Sequence, residues 1–290
     1  MRDELRRRLI EARAHDPGAI AAAAASRPRR PLLGETGRLM IIAADHTARG
    51  ILGVGRDTMA MESRFDLLDR VMVALSRPGV DGVLGTADII EDLLLLGALD
   101  NKIAIGSMNR GGLPGSVFEM DDRFTSYSAA AIVAGNLDAG KMLLRVDPDD
   151  PATARTLEAC SKAVSELAEA RVPVMIEPFM VNRDGGRRYN DLSPAAVIRS
   201  VTIAAGLGAT SAYTWLKLPV VAEMERVAEA STLPVLLLGG DPAVDQDAMF
   251  DSWKQALALP TVRGLVVGRS LLYPSAGDVA TVVDTTVSLL

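Results

Sequence analysis

The residue best suited to chemistry is Lys217. It sits in YTWLKLPVV (residues 213–221), a run that otherwise reads as a buried strand ended by Pro219. Lysine is rarely buried. Taking it out of water disfavours the charged form and lowers its pKa. A neutral amine is the species that attacks a carbonyl to form a Schiff base. The alternative is a lysine at a strand end whose ammonium reaches back to water or meets a carboxylate.

Other charged and polar groups stand at the ends of similar runs. Asp45 and His46 follow residues 39–44, Asn109 and Arg110 follow residues 102–106, and Arg145 and Asp147 close residues 141–146. Glu177 follows residues 172–176, and Arg269 follows residues 264–267. Side chains alternate along a strand, so Lys141, Leu143 and Arg145 share one face, and so do Met175 and Glu177. Each charge has a competing reading as a structural ion pair. The runs at 234–238 and 264–267 end in Gly239-Gly240-Asp241 and Gly268-Arg269. Glycine lets backbone N–H groups approach an anion, and Arg269 adds a charge-assisted donor. Glycines are also ordinary turn residues.

The elements that must position these groups alternate. Apolar runs at 39–44, 81–85, 102–106, 141–146, 172–176, 213–218, 234–238 and 264–267 are separated by helix-like stretches such as 64–75, 152–170 and 194–207. Ser193 followed by Pro194 is a helix start. Near-continuous apolar strands alternating with helices imply a parallel sheet covered on both faces. Eight in sequence fit an α/β fold of the (β/α)₈ barrel type, whose sites lie at the C-terminal strand ends. A doubly wound open sheet is the competing architecture, and no Gly-x-Gly-x-x-Gly turn follows the first run. Residues 1–31 read as a helical extension and linker, and residues 32–290 as the barrel. Leu5, Leu9, Ile10 and Ala14 have helical spacing, and residues 27–31 (RPRRP) read as a solvated basic loop. The helix at 2–14 has two expected uses, covering a neighbouring subunit in a homo-oligomer or capping the barrel bottom.

Composition narrows the partners. The chain has 290 residues, 23% charged, and a net charge of −6. Nothing supports a nucleic-acid surface, and no stretch approaches the roughly 20 apolar residues of a membrane span. The N-terminus lacks the apolar core of a signal peptide, so the expectation is a cytoplasmic protein. Two histidines cannot build a three-histidine zinc site, and no carboxylate spacing points to another metal. The single cysteine, Cys160, reads as a packed thiol.

The pieces AADH (43–46), KMLLRVD (141–147), MIEP (175–178), WLKLP (215–219), LGG (238–240) and VGR (267–269) resemble the barrel class I aldolases. That group includes tagatose-bisphosphate, archaeal-type fructose-bisphosphate and deoxyribose-phosphate aldolases. The chain is similar to a less characterised actinobacterial branch of that group, associated with inositol catabolism. The resemblance runs over residues 39–273, and leaves the N-terminal extension and loop 109–118 unmatched. It implies Lys217 as Schiff-base lysine, with Lys141, Glu177 and Asp45 as its catalytic neighbours. Gly239, Gly240, Gly268 and Arg269 correspond to phosphate loops. The implied reaction is metal- and cofactor-independent cleavage of a phosphorylated ketose. The inositol association points to 2-deoxy-5-keto-gluconate 6-phosphate, giving dihydroxyacetone phosphate and malonate semialdehyde. Its carboxylate requires a cation, for which Arg49, Arg110 and Arg145 are available. A fructose- or tagatose-type bisphosphate and a deoxyribose phosphate are the other substrates the resemblance allows. A sugar-phosphate-binding barrel without catalysis, and an isomerase using Glu177 and Asp45 as proton shuttles, are the readings from other classes.

Overall fold

The computed structural model describes residues 3–240 and 245–290. Arg2 and Asp241, each part of an expectation above, lie outside the described residues. Two helices, α1 (Asp3–His15) and α2 (Gly18–Ser26), come first. Then follow β1 (Leu39–Ala43), α3 (Arg64–Leu75), β2 (Gly82–Gly85), α4 (Ala87–Leu95), β3 (Ile103–Ser107), α5 (Ala129–Ala134), β4 (Ala139–Val146) and α6 (Ala152–Glu169). The second half has β5 (Val174–Asp184), β6 (Arg187–Asp191), α7 (Pro194–Ala205), β7 (Thr214–Leu218), α8 (Met224–Ala228) and β8 (Val235–Leu238). It ends with α9 (Gln246–Leu257), β9 (Val262–Val267), α10 (Arg269–Leu272) and α11 (Val279–Val287).

The parallel strands run in the order β4-β3-β2-β1-β9-β8-β7-β5, and pairing of β4 with β5 closes the ring. This is the (β/α)₈ barrel. Helix starts follow local chemistry: Ser63, Ser128 and Ser193 each accept a backbone N–H at the first turn, and Pro194 follows Ser193. One feature was not legible as a run. β5 continues well past Glu177 and turns back antiparallel as β6, so a hairpin rises above the barrel rim.

The strand faces divide cleanly. Met142, Leu144, Ile176, Leu216 and Leu218 pack outward into the core under the helices. Leu39, Ile41, Leu84, Ile105, Met175 and Leu236 form a separate apolar layer inside the barrel. Alternation therefore sends Lys141, Glu177 and Lys217 inward, above that layer. Closure needs one irregularity. Val235 pairs with Val262 but Leu237 with Leu265, so β9 carries an extra residue at Gly264. Gly264 has φ +131°, and a Cβ there would lie 1.9 Å from the Leu39 carbonyl oxygen.

The N-terminal segment is built in more firmly than its composition implies. Leu9 is buried, whereas Ile10 and Ala14 of the expected apolar stripe are exposed. α2 lies against α4, and Arg13 reaches Asp92 at 2.7 Å. The basic stretch at 27–31 is not a solvated loop. Arg27 is buried and donates to Asp138 at 3.0 Å and to the carbonyl oxygens of Lys102 and Asn136. Arg29 also pairs with Asp138, and Arg30 with Asp81. These carboxylates in turn accept from Ala104 N and Met40 N, beside the N-terminal ends of the strands. The linker is thus an ionic clasp under the barrel, because three arginines meet two carboxylates already fixed by strand amides. Removing one partner of a buried pair leaves the other charge uncompensated. Asp138→Ala should cost about 3–5 kcal/mol in urea unfolding, whereas Lys162→Ala, on the exposed face of α6, should change stability by less than about 0.5 kcal/mol.

Candidate active site

Three strands converge on one carboxylate. β5 pairs with β7 through Ile176 and Leu216, so one step further Glu177 faces Lys217. On the other side Glu177 is in register with Leu143, two residues past Lys141. Lys217 Nζ lies 3.0 Å from Glu177 Oε1, and Lys141 Nζ pairs with Glu177 Oε2. Lys141 Nζ is also 3.4 Å from Asp45 Oδ2, at the end of β1. Asp45 in turn meets Arg110 and accepts from Ser107 Oγ at 3.0 Å. Lys141 and Asp45 are each 1% exposed and Lys217 4%, so the cluster sits out of bulk water. It forms the floor of a cavity of about 850 Å³ at the C-terminal strand ends.

Burial sets the protonation chemistry. Desolvation lowers the pKa of Lys217, partly opposed by Glu177 and assisted by the positive charges of Arg110 and Arg269. Desolvation and Arg110 hold Lys141 well below the ordinary lysine range. Desolvation pushes Glu177 upward, but the charges and hydrogen bonds of Lys141 and Lys217 outweigh it, so the carboxylate stays ionised. Both lysines border the cavity; Lys141 is gripped by two carboxylates, while Lys217 has a single carboxylate partner. Of the two amines, Lys217 is the freer to attack a bound carbonyl.

The expected anion-binding residues divide. Gly239, Gly240, Gly268 and Arg269 line the same cavity. Gly240 needs its left-handed backbone, φ +70°, and a Cβ on Gly268 would lie 2.3 Å from the Ala43 carbonyl oxygen. Gly268 thus has a packing reason to be glycine, independent of any ligand. Asn109 and Arg145 do not line the cavity. Asn109 accepts from Leu143 N at 2.7 Å and donates to Leu143 O at 2.5 Å, bracing β4. Arg145 pairs with Glu119 at 2.8 Å. Arg110 donates to Ser107 Oγ at 2.8 Å as well as meeting Asp45. Arg49, also at the cavity wall, donates to the Gly112 carbonyl at 2.7 and 2.9 Å.

Sequence reasoning left out several groups that face the cavity. His46 is one; burial and then the charges of Arg269 and Lys217 hold it neutral. Its place beside Asp45, as one of two histidines, was the available signal. Arg187 and Asn190 on β6, and Met249, Ser252 and Trp253 on α9, also line it. No strand-end signal marks those, since they come from a hairpin and a helix face. A second cavity, about 410 Å³ between α5 and α6, is bordered by the exposed Arg123, Arg155 and Lys162 and holds no buried lysine–carboxylate cluster.

Comparison with known proteins places the chain. No curated protein matches it in sequence. The crystal structure of Cgl0159 from Corynebacterium glutamicum is 56% identical, with a TM-score of 0.97 over 100% of this chain and 97% of that one. A Schiff base-forming fructose-1,6-bisphosphate aldolase superposes with a TM-score of 0.63 at 17% identity, covering 93% of this chain and 99% of that one. The fructose-bisphosphate aldolase from Slackia heliotrinireducens gives 0.61 at 16%, covering 93% and 84%. At those identities the two aldolases attest to the barrel fold. The family model described as Cgl0159-like matches residues 37–287, and the chain belongs to that family.

Proposed function

We propose that the protein is a class I aldolase that cleaves a phosphorylated ketose through a Schiff base on Lys217. The observation that carries this reading is a buried lysine, its pKa lowered by desolvation, 3.0 Å from an ionised carboxylate on the floor of a cavity bordered by Gly239, Gly240, Gly268 and Arg269. Neutral Lys217 adds to the ketose carbonyl, and loss of water leaves a protonated imine. Glu177 takes the proton of the substrate hydroxyl, and the C–C bond breaks with its electron pair moving into the imine. An aldehyde departs, the enamine is reprotonated, and hydrolysis frees the amine and the ketone product. Lys141 holds Glu177 and Asp45 holds Lys141, a chain that can relay its proton. The chemistry requires no metal, and among the described residues no three His, Cys, Asp or Glu side chains are grouped to hold one.

The substrate is the finer part of the proposal. A phosphate at Gly239, Gly240, Gly268 and Arg269 suits every candidate. The one we favour is 2-deoxy-5-keto-gluconate 6-phosphate, through the inositol association; a fructose- or tagatose-type bisphosphate is the main competitor. The protein acts in this reading as a cytoplasmic homo-oligomer. Among the described residues no helix is long and apolar enough to cross a membrane.

Two experiments test the chemistry. Borohydride added with a cleavable ketose phosphate should reduce the imine and leave a mass increment on the peptide carrying Lys217, absent in Lys217→Met. An increment on Lys141 instead would reassign the nucleophile, and EDTA-sensitive activity without trapping would refute the proposal. The pH profile supplies the second. Because the folded pKa of Lys217 is lowered, the neutral nucleophile appears below 10.5, and kcat/KM should rise through a limb below that value. Glu177 opposes the lowering, so Glu177→Gln should move the limb to still lower pH. It should also cut kcat by about 10²–10⁴-fold, the usual share of a positioned proton-transfer group.

A further inference from the structure

The arginines first matched to a second anionic group are committed elsewhere. Arg110 is taken by Asp45 and Ser107, Arg145 by Glu119, and Arg49 by the Gly112 carbonyl. The β5–β6 hairpin brings in another set. Its turn is Gly185-Gly186, with φ +53° and +86°, the paired left-handed geometry of a two-residue hairpin loop. Arg187 therefore opens the return strand, opposite Asp184. Two neighbouring arginines are neutralised: Arg183 by Asp147 at 2.7 Å, and Arg188 by Asp150 at 3.1 Å. Those pairs tie the hairpin to the segment after β4. Arg187 differs. Among the described residues no carboxylate pairs with it, and it borders the cavity together with Asn190. Asn190 Oδ1 accepts from Arg145 Nε at 3.3 Å, which leaves the amide N–H groups for a ligand.

Strand order then fixes the direction. The sheet runs β9-β8-β7-β5-β6, with Lys217 on β7. On one side, β8 and β9 lead into Gly239, Gly240, Gly268 and Arg269. On the other, β5 and β6 carry Arg187 and Asn190. All of these residues line one cavity, so in the aldolase reading a ketose with its carbonyl at Lys217 lies between the two sides.

We infer that Arg187 is a specificity-determining residue, binding a second anionic group, carboxylate or phosphate, at the substrate end opposite the glycine loops. The inference rests on the aldolase reading for where the carbonyl sits. A guanidinium offers paired N–H donors to either group. Its position on an exposed hairpin outside the lysine–carboxylate cluster predicts an effect on affinity for ligands with two anionic groups and none on ligands with one.

The test is calorimetric titration of the full-length chain in a Lys217→Met background, which prevents turnover. The ligands are fructose 1-phosphate, fructose 1,6-bisphosphate and 2-deoxy-5-keto-gluconate 6-phosphate. With Arg187 present, at least one doubly anionic ligand should bind about tenfold or more tighter than the monophosphate, the scale of one hydrogen bond to a charged group. Arg187→Gln should close that gap and leave monophosphate affinity unchanged, and Arg187→Lys should restore part of it. A gap for the bisphosphate alone assigns a phosphate, and a gap for the keto acid alone assigns a carboxylate. No gap with Arg187 present, or a gap that survives Arg187→Gln, overturns the inference. The two readings fail separately. An Arg187-dependent gap without borohydride trapping leaves the recognition role and removes the aldolase; trapping without a gap does the reverse.

Discussion

A carboxylate held between two lysines, over an apolar layer, is the interaction around which the upper half of the barrel is arranged. Glu177 keeps its charge because Lys141 and Lys217 both point at it. The lysines in turn are driven toward the neutral form by the absence of water beneath them, where Met175, Leu236 and Ile105 fill the interior. Arg110 and Arg269 add positive charge beside Lys217, and Arg110 does so beside Lys141. The arginines keep their protons, so the lysines are the groups that yield.

The two ends of the barrel are fastened differently. Under the barrel, Arg27, Arg29 and Arg30 lock Asp138 and Asp81, which accept strand amides. Inside, Gly264 lets β9 approach β1 closely enough to complete the ring. Above the rim, the hairpin and the loop after β3 are fastened by polar contacts, Arg183 with Asp147 and Arg145 with Glu119. The lysine–carboxylate cluster thus stands on strands or at a strand end, while the rim above it is tied by individual ion pairs.

How much of this was legible depended on the kind of signal. The barrel could be read because parallel strands buried on both faces leave long apolar runs, and Lys217 could be read because it interrupts one. Lys141, Glu177 and Asp45 could be placed at strand ends, but their meeting point depends on register across three strands, which spacing along one strand does not contain. Asn109 and Arg145 stand away from the cavity for a shared reason. Both are polar and near strand ends, yet their partners, Leu143 and Glu119, are set by tertiary folding. The arginines at 27–31 looked solvated because the carboxylates that bury them are more than fifty residues away in sequence. The hairpin was hidden because residues 177–191 carry many charges and a Gly-Gly turn, a pattern that reads as loop.

The central physical claim is that the barrel interior strips Lys217 of its proton at a pH where an ordinary lysine stays charged. Carbon-13 labelling of the lysine ε-carbons, with Lys217→Met and Lys141→Met used for assignment, reads this directly by NMR titration of the ligand-free protein. The account predicts that the Lys217 resonance titrates with a midpoint below 10.5. A midpoint at or above 10.5, together with the exposed lysines, would contradict it.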